Sequence, residues 1–290
     1  MGFKEFATKA ELHDFLDDKA EELRSEVIRL SAIAGGGHMG GGLSMADIIV
    51  ALHYHAMNLK VGDPKWADRD RFVLSKGHGA IAYCPVLADL EFFPKDWLET
   101  FNRLDSPFGM HPDMNKIPGV EMSTGSLGHG LSVGVGMALS ARLDKAKWRV
   151  FVLLGDGEIN EGMVWEAAQS ASHFKLGNLT AIIDRNRLSL DGPTEEIMSI
   201  EPIRERWESF GWNVSDIDGH NMKQLVDTFD SLPPVESEAP NLVIARTVKG
   251  KGVDFMENDP IWHYSGLDAE KSEEAWKSIH SSRPARRVEK

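Results

Sequence analysis

Two short stretches, with Asp156 and Asn186 thirty positions apart, carry groups that could do chemistry together. Gly155-Asp156-Gly157-Glu158-Ile159-Asn160-Glu161-Gly162 sets a carboxylate between glycines that allow a ligand close to the backbone. Asp184-Arg185-Asn186-Arg187-Leu188 adds an amide oxygen and backbone carbonyls. These are hard oxygen donors, a set that suits magnesium or calcium with diphosphate oxygens completing the shell. Taken singly, Asp156 reads as a helix cap and Asn186 as a turn residue, uses both types commonly serve. Taken together, at the ends of two apolar strands joined by one helix, they read as a metal-diphosphate site.

The elements that must position them have clear periodicity. Residues 150–154 and 179–184 are continuous apolar runs of strand length, typical of strands covered on both faces of a parallel sheet. Between them residues 163–176 repeat with helical period, which makes a βαβ unit. Leu12, Leu16, Ala20, Leu23, Val27 and Leu30 form the stripe of an amphipathic helix over 9–33. A helix is expected over 44–57 with Ser44 as its N-cap and Asp47 three residues on, then a strand at 71–74 and a helical stretch to Leu90. Helices at 202–210, 221–232 and 269–279 and strands at 212–217 and 242–247 continue the alternation. The expected fold is α/β: one doubly wound, mostly parallel sheet with helices on both faces, spanning 1–290 as one domain with a C-terminal helix and tail at 268–290. In such sheets ligands sit beyond the carboxyl ends of the strands, where Asp156 and Asn186 fall.

Composition narrows the partners. Hydrophobic residues make up 42% and charged residues 27% of the chain, so a folded protein is expected. Thirty-two Lys and Arg against forty-five Asp and Glu give a net charge of -13, which repels nucleic acid and anionic membranes. An acidic chain that binds phosphates must use local devices such as backbone N–H groups, a metal or histidines. The single cysteine, Cys84, suits a reducing compartment, and the first thirty residues are too charged for a signal peptide, so a cytoplasmic location is expected. The longest weakly polar run, 130–141, falls short of the roughly 18 apolar residues a bilayer span needs. Rich in small residues, it is a candidate for close helix packing, internally or at an interface.

Gly155-Asp156-Gly157 followed after 28 residues by Asn186 resembles the signature of thiamine diphosphate enzymes. Four longer stretches resemble, in order, the N-terminal part of transketolase. They are Gly36-Gly37-His38-Met39-Gly40-Gly41, Asp70-Arg71-Phe72-Val73-Leu74-Ser75-Lys76-Gly77-His78, Pro118-Gly119-Val120-Glu121-Met122-Ser123-Thr124-Gly125-Ser126-Leu127-Gly128-His129-Gly130 and Leu153-Leu154-Gly155-Asp156-Gly157-Glu158. The similarity runs from about residue 10 to 267 and implies that family's diphosphate-binding domain, with thiamine diphosphate and Mg2+ or Ca2+. Carried over by position, it makes Asp156, Asn186 and the Leu188 carbonyl metal ligands. Gly155, Gly157 and Glu158 would lie at the diphosphate, and Gly125, Ser126 and Leu127 at the aminopyrimidine ring. Glu161 would belong to communication between paired active sites.

Of eleven histidines, the resemblance gives catalytic or cofactor roles to His38, His78, His111 and His263. His78 and His263 would sit near the diphosphate, His38 and His263 near the donor's C3 oxygen, and His111 near its C1 hydroxyl. A zinc site is the rival, although no paired HxxxH spacing and no cysteine supports it. His13, His53, His55, His173, His220 and His280 read as ordinary surface or core groups. Gly35-x-Gly37-x-x-Gly40 fits a dinucleotide fingerprint but follows a helix instead of a strand. Met39, His129 and Tyr264 depart from the family pattern, which has proline, often glutamine, and glycine there.

In this family the carboxylate that tautomerises the aminopyrimidine lies on a second domain. Beyond Leu267 the sequence offers one acidic helix and a basic tail, Arg283, Arg286, Arg287 and Lys290. The expected partner is therefore a C-terminal transketolase subunit carrying the pyrimidine-binding domain, in an α2β2 assembly acting on sugar phosphates. The expected activity is transfer of a two-carbon ketol unit from a ketose to an aldose. Alternatives are a specialised transketolase for a branched or sulfonated sugar, a 2-oxo acid dehydrogenase α subunit, and a non-catalytic assembly subunit.

Overall fold

The computed structural model describes residues 6–281. Five strands, β1 (Arg71–Leu74), β2 (Val150–Gly155), β3 (Leu179–Arg185), β4 (Asn213–Asp218) and β5 (Asn241–Arg246), form one sheet in the order β1-β2-β3-β5-β4. Every neighbouring pair is parallel. Register puts Gly155 beside Asp184 and Asp184 beside Ala245, so the loops after β2, β3 and β5 leave the sheet at one edge.

The strands alternate side chains between two cores, as the period of two requires. Phe151, Leu153, Ile182 and Val243 join one core, and Val150, Val152, Leu154, Ile183 and Ile244 join the other. The first core is covered by α1 (Lys9–Ala34), the short α2 (Met39–Ser44) and α3 (Ala46–Ala51), and α4 (Ala80–Asp89). The second is covered by α5 (His129–Leu143) and α6 (Gly162–His173). Beyond β3 come the single turn α7 (Thr194–Ile197) and α8 (Ile203–Ser209), which packs on the second core through Ile203 and Trp207. α9 (Met222–Asp230) and α10 (Ala269–Ser281) return to the first core through Leu225, Val226, Ala275 and Ile279. Helices thus lie on both faces, and no helix of the described residues is long and apolar enough to cross a membrane.

α1 starts where Thr8 caps the Glu11 N–H and stops at Gly35, whose φ of 72° suits glycine. Its stripe from Leu12 to Leu30 is buried as its spacing requires. The region 44–57 differs from expectation. Ser44 ends α2 instead of capping a helix, and α3 continues into one π-helical stretch over Leu52–Ala56. The Ser44 hydroxyl donates to Asp184 Oδ2 at 2.5 Å, so tertiary structure has taken the group a cap would use. Asp47 is likewise consumed, by the buried Arg24 guanidinium. The small-residue helix α5 packs internally: Gly130, Gly134, Ala138 and Ala141 are buried, while Gly136, Ser140 and Leu143 face outward. The basic tail of Arg283, Arg286, Arg287 and Lys290 lies outside the described residues.

Candidate functional site at the carboxyl edge of the sheet

The loops after β1, β2, β3 and β5 meet the segment leading into α2, and together they bring the singled-out residues to one place. Asp156 follows β2 and is 2% exposed. Its Oδ1 accepts the Gly157 N–H at 2.8 Å, and its Oδ2 accepts from Arg185 Nη1 at 3.1 Å and the Arg187 N–H at 2.5 Å. The loop after β3 is therefore folded directly over the Asp156 carboxylate. Burial raises its pKa, the Asp184 charge adds to that, and Arg185 opposes both. Asn186 Oδ1 accepts the Leu188 N–H at 3.1 Å.

The donor set fits a cation. The Leu188 and Ser189 carbonyls already hold the Lys249 ammonium, at 3.0 and 2.9 Å. A carboxylate, an amide oxygen and a carbonyl on two adjacent strand ends match the hard-oxygen chemistry of magnesium. Among the described residues no group of three His, Cys, Asp or Glu side chains could hold a metal, so the zinc alternative for the histidines finds no support there.

All four singled-out histidines converge. His38 lies with its ring centroid 5.2 Å from His78, 5.5 Å from His263 and 6.3 Å from His111, and His78 is 5.3 Å from His263. Burial, then the His111 and Lys249 charges, pulls the His38 pKa down to about 4. Burial and the Lys249, His38 and Lys76 charges take His263 to about 3. Burial also drives His78 well down, with Lys76 next in effect. These three rings are neutral at physiological pH and can each donate through one nitrogen and accept through the other. His263 Nδ1 faces the Lys249 ammonium at 2.8 Å and so accepts, leaving the ring proton on Nε2. His38 Nδ1 is buried without a hydrogen-bond partner. Tyr264 stands edge-on to His38, 4.9 Å between centroids, and is 52% exposed.

Gly125, φ 150°, lies so close to His111 that a Cβ there would meet the imidazole ring at 2.9 Å. Gly77 closes on the same loop, where a Cβ would lie 2.5 Å from the Thr124 carbonyl carbon. The backbone of 124–128, with Ser126 exposed and Leu127 half-buried, is thereby held beside the histidines. Glu158 supplies another fastening. Its buried carboxylate accepts from Ser75 Oγ, from the Gly128 N–H at 2.9 Å and from the Gly155 N–H at 2.9 Å. Burial raises its pKa and these donors oppose the shift. Glu158 thus ties three site loops together with its oxygens already engaged. Glu161, at the start of α6, is exposed and stands apart from the histidines against Gly128, where a Cβ would lie 2.6 Å from its own.

Two lysines that sequence reading did not single out complete the site. Lys76 is buried, with its ammonium 2.5 Å from Asp184 Oδ2 and 2.9 Å from the Gly41 carbonyl. Thr247 and Ser44 also donate to Asp184. Burial opposes the charge on Asp184, but Lys76 and these donors prevail and its pKa is lowered. Lys249, 2% exposed, has its pKa lowered to about 8 by burial, against the pull of Asp156. The signal available was position: each lysine falls within three residues of the end of an apolar strand at the carboxyl edge. The result is a polar cluster with two ammonium groups, imidazoles and oxygen donors, in a chain of net charge -13.

A family model described as "Transketolase, thiamine diphosphate binding domain" matches residues 18–286. A subunit of the apulose-4-phosphate transketolase of Phocaeicola vulgatus is 42% identical over 91% of this chain and 93% of its own length. The 6-deoxy-6-sulfo-D-fructose transketolase subunit SqwG of Clostridium sp. (strain MSTE9) is 38% identical over 91% of this chain and 94% of its own. The crystal structure of transketolase from Campylobacter jejuni superposes with a TM-score of 0.85 at 29% identity, covering 92% of this chain and 43% of that one. The chain thus spans nearly all of two proteins named as subunits and less than half of the solved enzyme.

Proposed function

Because this chain belongs to the transketolase family through its thiamine diphosphate-binding domain, we propose that it is the cofactor-binding subunit of a two-component transketolase. It would transfer a two-carbon ketol unit from a ketose to an aldose together with a partner chain that carries the pyrimidine-binding domain. The whole chain is taken as one such domain, assembled as α2β2. The observation that carries this reading is the meeting of four histidines, two buried lysines and the Asp156–Asn186 pair at one sheet edge.

Thiamine diphosphate, when bound, supplies the carbon nucleophile and electron sink that the side chains lack. Asp156 Oδ1, Asn186 Oδ1 and the Leu188 carbonyl would hold Mg2+ (or Ca2+) against the diphosphate, with Lys249 moving its ammonium from the carbonyls to phosphate oxygens. Gly155 and Gly157 give the backbone its approach, and Lys76, His78 and His263 add donors. Gly125, Ser126 and Leu127 present backbone to the aminopyrimidine, with Glu158 fixing that loop from behind. His38 and His111 would bind donor hydroxyls, His38 Nδ1 gaining the partner it lacks. Glu161, exposed in this chain, would lie at the assembly interface. Cys84, buried with its thiol pushed up to about 12, suits the cytoplasm, where we place the chain.

A second reading within this chemistry is a donor outside the common sugar phosphates. Two relatives are named for apulose-4-phosphate and 6-deoxy-6-sulfo-D-fructose, and Tyr264 stands against His38 where the family pattern has glycine. Both readings are tested by mixing the chain with the product of its neighbouring reading frame and assaying ketol transfer from several donors. Activity in the mixture alone is expected, falling at least about a hundredfold in Asp156→Ala. Activity of the isolated chain, or full activity of that variant, would overturn the assignment.

A further inference from the structure

His220, set aside from sequence as an ordinary histidine, lies half-buried at the end of a buried ion pair, in a hydrogen-bonded chain running from α1 to the loop that carries Lys249. Arg24 on α1 is fully buried and grips Asp47 on α3 with both terminal nitrogens, Nη1 to Oδ1 at 3.1 Å and Nη2 to Oδ2. Asp47 Oδ2 then meets His220 Nδ1 at 2.6 Å, and His220 Nε2 accepts the Val248 N–H at 2.8 Å. An amide N–H can only donate, so Nε2 carries no proton and Nδ1–H donates to Asp47. Burial disfavours the Asp47 carboxylate, but Arg24 and His220 hold its pKa far below the usual range.

The same network reaches the far side of the loop, where Arg24 Nε donates to the Lys251 carbonyl at 3.1 Å. Val248 and Lys251 are thus gripped on either side of Lys249. The loop has little other freedom: the Gly250 N–H donates to the Gly40 carbonyl at 3.0 Å, and the Lys249 carbonyl accepts from Asn258 at 2.9 Å. The Lys249 ammonium is delivered between the Leu188 and Ser189 carbonyls and His263. A lysine side chain has several rotatable bonds, so placing its charge depends on where its backbone is fixed.

We infer that His220, oriented by the Arg24–Asp47 pair, is a positioning residue that sets the Lys249 ammonium for anion binding through the Val248 amide. Its hydrogen bonds go to Asp47, Asp218 and Val248, and it acts on the site only through Lys249. The inference rests on the reading of Lys249 as a diphosphate-facing group. A purely structural network would stabilise the fold and leave anion affinity alone.

Two substitutions separate these roles. His220→Asn keeps a donor for Asp47 but does not reach Val248, whereas His220→Gln places an acceptor near the position of Nε2. Calorimetric titration of the full chain with inorganic pyrophosphate and Mg2+ is expected to show affinity roughly tenfold weaker in His220→Asn and within about threefold of wild type in His220→Gln. In a Lys249→Met background, His220→Asn is expected to cost nothing further. Wild-type affinity in the Asn variant, equal losses in Asn and Gln, or additive losses with Lys249→Met would each overturn the inference.

A second readout is independent of the ligand. Site-resolved acetylation by acetic anhydride is expected to speed up severalfold at Lys249, and not at Lys76, in His220→Asn. If the wild-type chain binds no pyrophosphate, the diphosphate reading of Lys249 fails. The positioning of Lys249 is then decided by acetylation alone, an unchanged rate overturning it.

Discussion

His53 and the site histidines share a physical state for different reasons. His53 is sealed in the core against Phe72, 4.7 Å between centroids, with Nδ1 on the Ile49 carbonyl at 2.8 Å, and burial lowers its pKa to about 4. In the histidine cluster, burial lowers His38 and His263 to about 4 and about 3, and His78 falls well below its usual value. All four take up protons more readily in the unfolded chain, where histidine titrates near 6.5. Between about pH 6.5 and 4 the unfolded state holds more protons, so stability rises with pH and is lost on acidification. Urea unfolding is expected to show a midpoint falling steeply from pH 7 to 5. The linked uptake should be smaller by about one proton in His53→Leu, which removes one titrating group away from the site; equal slopes would refute the assignment. His38 and His78 were legible because their flanking glycine-rich text is distinctive, whereas His111 and His263 were assigned only through the family resemblance. Lys76 and Lys249 were not, since a lysine in a loop reads as solvated. Only the tertiary structure shows Asp184 and the Leu188 carbonyl waiting for them.

At the scale of elements, legibility followed how local the cause was. β2 and β3 are covered on both faces, and that burial writes a continuous apolar run into the sequence. Ser44 and Asp47 imitate a capping pair, yet their partners are Asp184 and Arg24, 140 and 23 residues away, so no local pattern could have separated the two uses. The small-residue run of α5 left inside and outside open, and the structure divides it by face. A Cβ on Gly134 would lie 2.5 Å from Val152 Cγ2 on the sheet, whereas Gly136 has nothing within 4 Å. Gly134→Ala is therefore expected to destabilise by about 1–3 kcal/mol through overpacking. Gly136→Ala should stabilise by up to about 1 kcal/mol by removing backbone freedom from a helix interior. Denaturant midpoints of the two variants check this, and a matching sign at both positions would sink the account of how α5 sits.

At the scale of the whole molecule, a chain of net charge -13 gathers cationic and neutral donors at one edge of its sheet. That local reversal lets it hold a polyanion that its overall field would repel. Under the proposed function this cluster would meet the diphosphate end of the cofactor, while the carboxylate expected at the aminopyrimidine would come from a partner. Under that arrangement cofactor and partner each complete the other's binding surface, and thermodynamic linkage makes the effect reciprocal. Sedimentation with and without thiamine diphosphate and Mg2+ should show association strengthened by some factor, about 5–150 for typical couplings. Titration of cofactor with and without the partner should return the same factor. Unequal factors would mean that an undetected state intervenes. A cofactor affinity indifferent to the partner would place the entire cofactor site on this chain and remove the reason for two components.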